Sequence, residues 1–175
     1  SSYRFYDEIM YLADRDIIGG YKNGDFGPND TVTREAAAAM IGRALGFNEE
    51  RKDTIFPDVT ERSYASGYIE EAVNEGIISG FPDGTYRPNA PVTRGQMAIF
   101  LARAYDLTDE QEVSFSDVYS STAAYPFIKR ILAEGITSGY PDGTYRPDNK
   151  LTRGDFSAFL ARTLDETFHA APTQP

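Results

Sequence analysis

The sequence predicts a mostly α protein: three helix–loop–helix repeats closed about a pseudo-threefold axis. The segment "SGFPDGTYRP" at 79–88 returns as "SGYPDGTYRP" at 138–147 with nine of ten positions identical, and "GGYKNGDFGP" at 19–28 is a weaker third copy. Around these segments the register holds at spacings of 60 and then 59 residues: Ile9, Ile69 and Ile128 correspond, as do Pro28, Pro88 and Pro147. On either side of each segment apolar residues recur at helical intervals. One such unit of ~45 residues cannot bury enough apolar surface to stand alone, so matched stripes on three copies should share one core. An open solenoid fits less well, because no copy reads as a polar cap.

The elements follow in chain order. The first helix of the second copy shows Ile69, Ala72, Val73 and Gly76 on one face, matched by Ile128, Ile131 and Leu132 and by Ile9, Leu12 and Ala13. Gly76 and Gly135 suit the left-handed residue that ends a helix, and Asp16 holds that place in the first copy. In "PDGTYRP" the Asp-Gly pair marks a tight turn with short extended flanks. Pro88 and Pro147 then stop any ladder. The second helix opens at a Thr N-cap, and Thr93 with Gln96 forms a capping box. Its stripe is Met97, Phe100, Leu101 and Ala104, matched by Phe156, Phe159 and Leu160 and by Met40, Ile41 and Ala44. The repeats occupy 1–48, 55–108 and 114–168, and 169–175, "HAAPTQP", reads as a flexible tail. "FPDV" at 56–59 and "FSDV" at 115–118 open the second and third copies; the first copy's counterpart is expected upstream of Ser1.

Composition narrows the function. The chain has no cysteine, which excludes disulfides, thiolate metal sites and a Cys nucleophile. No apolar run approaches the ~18 residues of a membrane span, and no signal peptide reads out at Ser1. A net charge of −10 disfavours nucleic acid and anionic membranes as partners. The only histidine, His169, has no partner constellation, and "PDGTY" lacks the alternating ligands of a calcium loop.

The recurring polar residues are the candidates for function. Arg34, Arg94 and Arg153 each fall at the first position of a second helix, where a cation opposes the helix dipole at ~0.3–1 kcal/mol. Two readings explain the placement. Free N–H groups and a guanidinium together make a carboxylate receptor, or Asp58 and Asp117 pair with the arginines internally. Gly20, Gly80 and Gly139 serve either a turn or a close approach to the backbone, with Ser79 and Ser138 adding hydroxyls beside two of them. Tyr21, Phe81 and Tyr140 either stack a sugar ring or pack. Asp58 and Asp117 either accept sugar hydroxyls or cap a local turn. Arg87 and Arg146, replaced by Gly27 in the first copy, read as loop supports covering Tyr86 and Tyr145.

Jointly, "FPDV…YASGYIEEAVNEGIISGFPDGTYRPNAPVTRGQMAIFLARAYDL", "FSDV…GITSGYPDGTYRPDNKLTRGDFSAFLARTL" and "YDEIMYLADRDIIGGYKNGDFGPNDTVTREAAAAMIGRALGF" resemble S-layer homology repeats over nearly the whole chain. The resemblance implies a three-pronged spindle around a central helical bundle. It implies grooves between repeats that bind secondary cell-wall polysaccharide through a terminal pyruvylated N-acetylmannosamine, anchoring surface-layer proteins and exported enzymes to the bacterial wall. The family's ligand-binding Arg maps to Arg34, Arg94 and Arg153, its opening Asp to Asp58 and Asp117, and its Gly to Gly20, Gly80 and Gly139. The implied module is extracellular, non-catalytic, free of cofactors and monomeric in isolation. Two departures stand out: the family's usual Trp is replaced by Tyr64, Ala123 and Arg4, and "TREA" moves the acid of the helix-start motif to Glu35. The competing readings are a lattice scaffold with the arginines in internal ion pairs, and an acid-based glycan hydrolase.

Overall fold

The computed structural model describes residues 3–169; the first two residues of repeat one and residues 170–175 of the expected tail lie outside the described residues. The helices are α1 (Tyr6–Ala13), α2 (Arg34–Leu45), α3 (Ser66–Asn74), α4 (Arg94–Ala104), α5 (Tyr125–Ala133) and α6 (Arg153–Leu164), followed by a 3-10 turn at Glu166–Phe168. Extended pairing among the described residues is limited to three isolated bridges. His169, expected to open the tail, donates its N–H to the Glu166 carbonyl at 3.0 Å.

Local chemistry sets the helix ends. Thr33, Thr93 and Thr152 are extended and accept the N–H of Ala36, Gln96 and Asp155, each cap worth about 1 kcal/mol. Gln96 and Asp155 return a bond to the Thr N–H and complete a capping box; Ala36 has no group to do so. The first helices are followed by left-handed residues, Asp16, Gly76 and Gly135, at φ 57°, 74° and 73°.

The repeats close into a ring. Each first helix packs on the second helix of the preceding repeat: α3 on α2, α5 on α4, and α1 on α6. The last pair joins the first repeat to the third, which an open solenoid could not do. At the axis the Val32 N–H donates to Leu151 O (3.0 Å), the Leu151 N–H to Val92 O (2.9 Å), and the Val92 N–H to Val32 O (3.1 Å). All three side chains are buried, so these are fully desolvated bonds. The bridges Thr33–Pro91, Thr93–Lys150 and Thr31–Thr152 repeat the same closure one residue away.

The second helices form the central bundle. Burial runs unbroken from Ala36 to Gly42 in α2 and from Phe156 to Arg162 in α6, wider than the single stripe the sequence predicts. A helix surrounded on all sides must be apolar or small all round, and Ala and Gly supply that between the large residues. α1 and α5 bury a single face, through Ile9 and Leu12 and through Ile128 and Ile131, whereas α3 buries its whole first turn, Ser66 to Ile69, together with Ala72.

Candidate functional site

The three arginines stand at corresponding places between repeats. The Nε of Arg34 donates to Tyr86 O (2.8 Å), that of Arg94 to Tyr145 O (2.7 Å), and that of Arg153 to Phe26 O (3.0 Å). Each guanidinium therefore ties its own repeat to the loop of the next. None lies within ion-pair distance of a carboxylate among the described residues. The internal ion pairs with Asp58 and Asp117 do not form.

The reading of free helix amides also needs correction. The N–H of Arg34 donates to Ala90 O, that of Arg94 to Asn149 O, and that of Arg153 to Asp30 O. The next N–H groups, on Glu35, Gly95 and Gly154, donate to Pro88, Pro147 and Pro28. The third is taken by the capping Thr. The adjacent repeat thus satisfies the helix start, and what remains for an anion is the guanidinium itself.

The aspartates and the TYRP arginines form one device. Asp58 accepts the Tyr86 and Arg87 N–H groups at 3.0 and 2.8 Å, and Asp117 those of Tyr145 and Arg146 at 2.9 and 2.7 Å. Arg87 and Arg146 are left-handed at φ 59°, which costs a non-glycine residue about 1–2 kcal/mol. Two bonds to a carboxylate, about 1.5 kcal/mol or more each, exceed that cost. In the first copy the position is Gly27, at φ 68° without penalty, and no aspartate is required. The Arg87 and Arg146 guanidiniums do not cover Tyr86 and Tyr145, which are wholly buried with their hydroxyls donating to Arg34 O and Arg94 O. They lie instead over Phe81 and Tyr140, at 3.7 and 3.6 Å from the ring centres.

The glycines answer to packing. A Cβ on Gly80 would collide with the Phe56 ring, and one on Gly139, at φ 77°, with the Phe115 ring. At Gly20 the obstacle is the Asp25 carbonyl at 2.8 Å, with no aromatic lid, and the residue is exposed. Ser79 lies beside Gly80 with its carbonyl accepting the Arg34 Nη2 at 3.4 Å. Ser138 is half-buried next to Gly139.

The clefts differ in openness. Arg34 is boxed by Phe81, Tyr86 and Phe100, Arg94 by Tyr140, Tyr145 and Phe159, with ring centres 4.5–5.7 Å from the guanidinium carbon. Both are 3% exposed. Burial pulls the Arg34 pKa below the ordinary guanidinium value. Arg153 has two rings beside it among the described residues, Tyr21 and Phe26, donates its Nη2 to Gly19 O at 3.1 Å and is half-buried. A cavity of about 480 Å³ opens beside it, lined in part by Lys22, Arg43, Arg153, Tyr21 and Tyr64 and by no acidic residue. The corresponding cavity beside Arg94 is about 100 Å³ and includes Asp155. Tyr21 and Tyr64 are 42% and 41% exposed, so ring surface is available in the larger cleft. Over Phe81 and Tyr140, by contrast, two guanidiniums already lie.

Sequence reasoning placed Arg153, Gly20 and Tyr21 here but missed Arg43, Lys22 and Tyr64 as cleft residues. Arg43 carried a signal: Arg43, Arg103 and Arg162 recur at the same 60 and 59 spacing as the helix-start arginines. Lys22 carried none, because the other copies have proline there.

A closed ring of three repeats with cationic, aromatic-walled clefts between them defines a repeat-built binding module. A search by family pattern agrees: the S-layer homology domain matches residues 1–38, 55–98 and 114–157, and the chain belongs to that family. It is 29% identical over 86% of its length to cell surface glycoprotein 1 and 28% identical over 85% to a cellulosome-anchoring protein, both of Acetivibrio thermocellus. It is 34% identical over 92% of its length to an amylopullulanase of Thermoanaerobacterium thermosulfurigenes. The chain spans 7%, 35% and 9% of those three proteins. Family membership makes this a module of the bacterial cell surface, with an anchoring role. No helix among the described residues is long and apolar enough to cross a membrane.

Proposed function

We propose that the chain holds a larger protein on the bacterial wall by non-covalent binding of a pyruvylated secondary cell-wall polysaccharide. The pyruvyl ketal carries a carboxylate. Arg153 receives it, Arg43 and Lys22 add positive charge, and the exposed rings of Tyr21 and Tyr64 take the apolar face of the sugar. The observation that carries this reading is the charge of the larger cleft: three cations and no acid line it on a chain of net charge −10. Such segregation against the overall field is the mark of an anion site. In the sister clefts Arg34 and Arg94 hold the corresponding places but are buried, with Gly80, Gly139, Ser79, Ser138, Asp58 and Asp117 at their edges. Glycoside hydrolysis is disfavoured there, since no carboxylate pair faces the cavity. The lattice-scaffold reading loses its support with the absent ion pairs.

Calorimetry with intact and depyruvylated wall polysaccharide tests the proposal. Binding to the intact polymer alone, weakening as salt rises, is expected. Equal binding to both would defeat it.

A further inference from the structure

The clefts are assembled from corresponding residues, so their difference has to come from the few side chains that differ. The third residue of the second helix is Ala36, Gln96 or Asp155, and four residues on stand Met40, Phe100 and Phe159. Both positions line the cavities: Ala36 and Met40 the one of about 480 Å³, Asp155 and Phe159 the one of about 100 Å³. A water molecule occupies ~30 Å³ of liquid, and sites for small organic ligands run ~300–1,000 Å³. The smaller cavity therefore has room for a few waters, and the larger one for a sugar residue. Phe159 reaches 5.2 Å from the Arg94 guanidinium carbon and Phe100 5.7 Å from that of Arg34, closing the third side of each box. Met40 leaves that side open at Arg153.

We infer, resting on the proposed function above, that these two helix positions decide which cleft admits the anionic terminal sugar. This chain then has one working cleft, at Arg153, opened by Ala36 and Met40. Its second observation is in the closed cleft. The Arg94 Nη2 is buried with no hydrogen-bond partner, a donor that a ligand would satisfy if one could enter.

The test exchanges the two pairs. Ala36→Asp with Met40→Phe copies the closed cleft onto the open one; Asp155→Ala with Phe159→Met does the reverse. The first variant gains the acid that completes a capping box at Thr33, so its melting temperature should not fall. Each protein is titrated in the calorimeter with a purified wall-polysaccharide fragment ending in pyruvylated N-acetylmannosamine, and with its depyruvylated form. The parent should bind one fragment per chain, the closed variant ~50-fold more weakly or not at all, and the opened variant two. Two or three equal sites in the parent, or undiminished binding by a folded closed variant, would overturn the inference while leaving the carboxylate reading intact. If the parent does not distinguish the two fragments, the carboxylate reading itself fails and the inference falls with it.

Discussion

The Arg94 cleft and the Arg153 cleft share a blueprint and differ in use of the same residue. At Arg94 the guanidinium is enclosed by three rings, and the Tyr145 hydroxyl donates to the Arg94 carbonyl at 3.0 Å. At Arg153 one ring is replaced by Met40 and the tyrosine by Phe26, and the cavity beside it is nearly five times larger, about 480 against 100 Å³. Both guanidiniums bond carbonyls of the next repeat, so both are ties; Arg94 is also sealed from solvent, whereas Arg153 is half-buried beside a cation-lined cavity, which under the proposed function makes it the receptor. Repetition in the sequence keeps the geometry of the tie; the side chains that differ around it leave one cleft nearly closed and the other open.

That contrast can be broken most directly by removing each arginine. Arg94→Ala should cost about 3 kcal/mol of stability through the vacated box and the unpaired Tyr145 carbonyl. For a chain of this size that is a fall in melting temperature of ~6–12 °C by calorimetry. A shift under 2 °C, within ~1 kcal/mol, would show that the box is not a tie. Arg153→Ala should move the melting point much less and weaken binding of the pyruvylated polysaccharide ~100-fold, about 2.7 kcal/mol. If it instead lowers stability as far as Arg94→Ala does, the two clefts are alike and the distinction fails.

A smaller change sharpens the comparison from the structural side. Tyr145→Phe copies Phe26 into the third repeat and removes the bond to the Arg94 carbonyl, at a cost of about 1 kcal/mol in urea unfolding. Unchanged stability would mean that this hydroxyl does not help seal the cleft.

The smallest effect is a response to acid confined to two of the three loops. Asp83 accepts the Thr85 hydroxyl and N–H, which hold its pKa down at about 2, and Asp142 is lowered by the same bonds from Thr144. A carboxyl lowered on folding stabilises fully above its unfolded value of 3.8, and that contribution is lost as pH falls through about 2. In the first copy the Asp25 N–H donates to the amide of Asn23, which does not titrate. Amide exchange at Thr85 and Thr144 should therefore accelerate relative to Asp25 between pH 4 and pH 2, after correction for intrinsic rates. Parallel behaviour of all three loops would remove the distinction.

Much of this architecture was legible in advance. The Thr caps, the left-handed Asp16, Gly76 and Gly135, and the apolar intervals are local patterns that the backbone obeys wherever the chain lies. The errors that matter for the site were non-local. Helix amides expected to be free are taken by carbonyls of the adjacent repeat, from residues such as Pro88 and Pro147 that look like simple ladder stops. Asp58 and Asp117 spend their carboxylates on the loop between the two helices of their own repeat, 28 and 29 residues further on, holding two strained arginines. The first copy, weakest by its missing aspartate and its "TREA" start, contributes to the most open cleft, because Gly27 needs no aspartate and Ala36 leaves space.

Sequence alone determined three copies, two helices in each, and an arginine at every second-helix start, because periodicity, capping and turn chemistry act over a few residues. Tertiary structure alone decided what those arginines face. Closing the ring brings Arg153 against a loop 127 residues earlier in the chain, at Phe26. Whether that meeting leaves a sealed box or an open cleft depends on side-chain volumes contributed by different repeats, which only packing in three dimensions sets against one another.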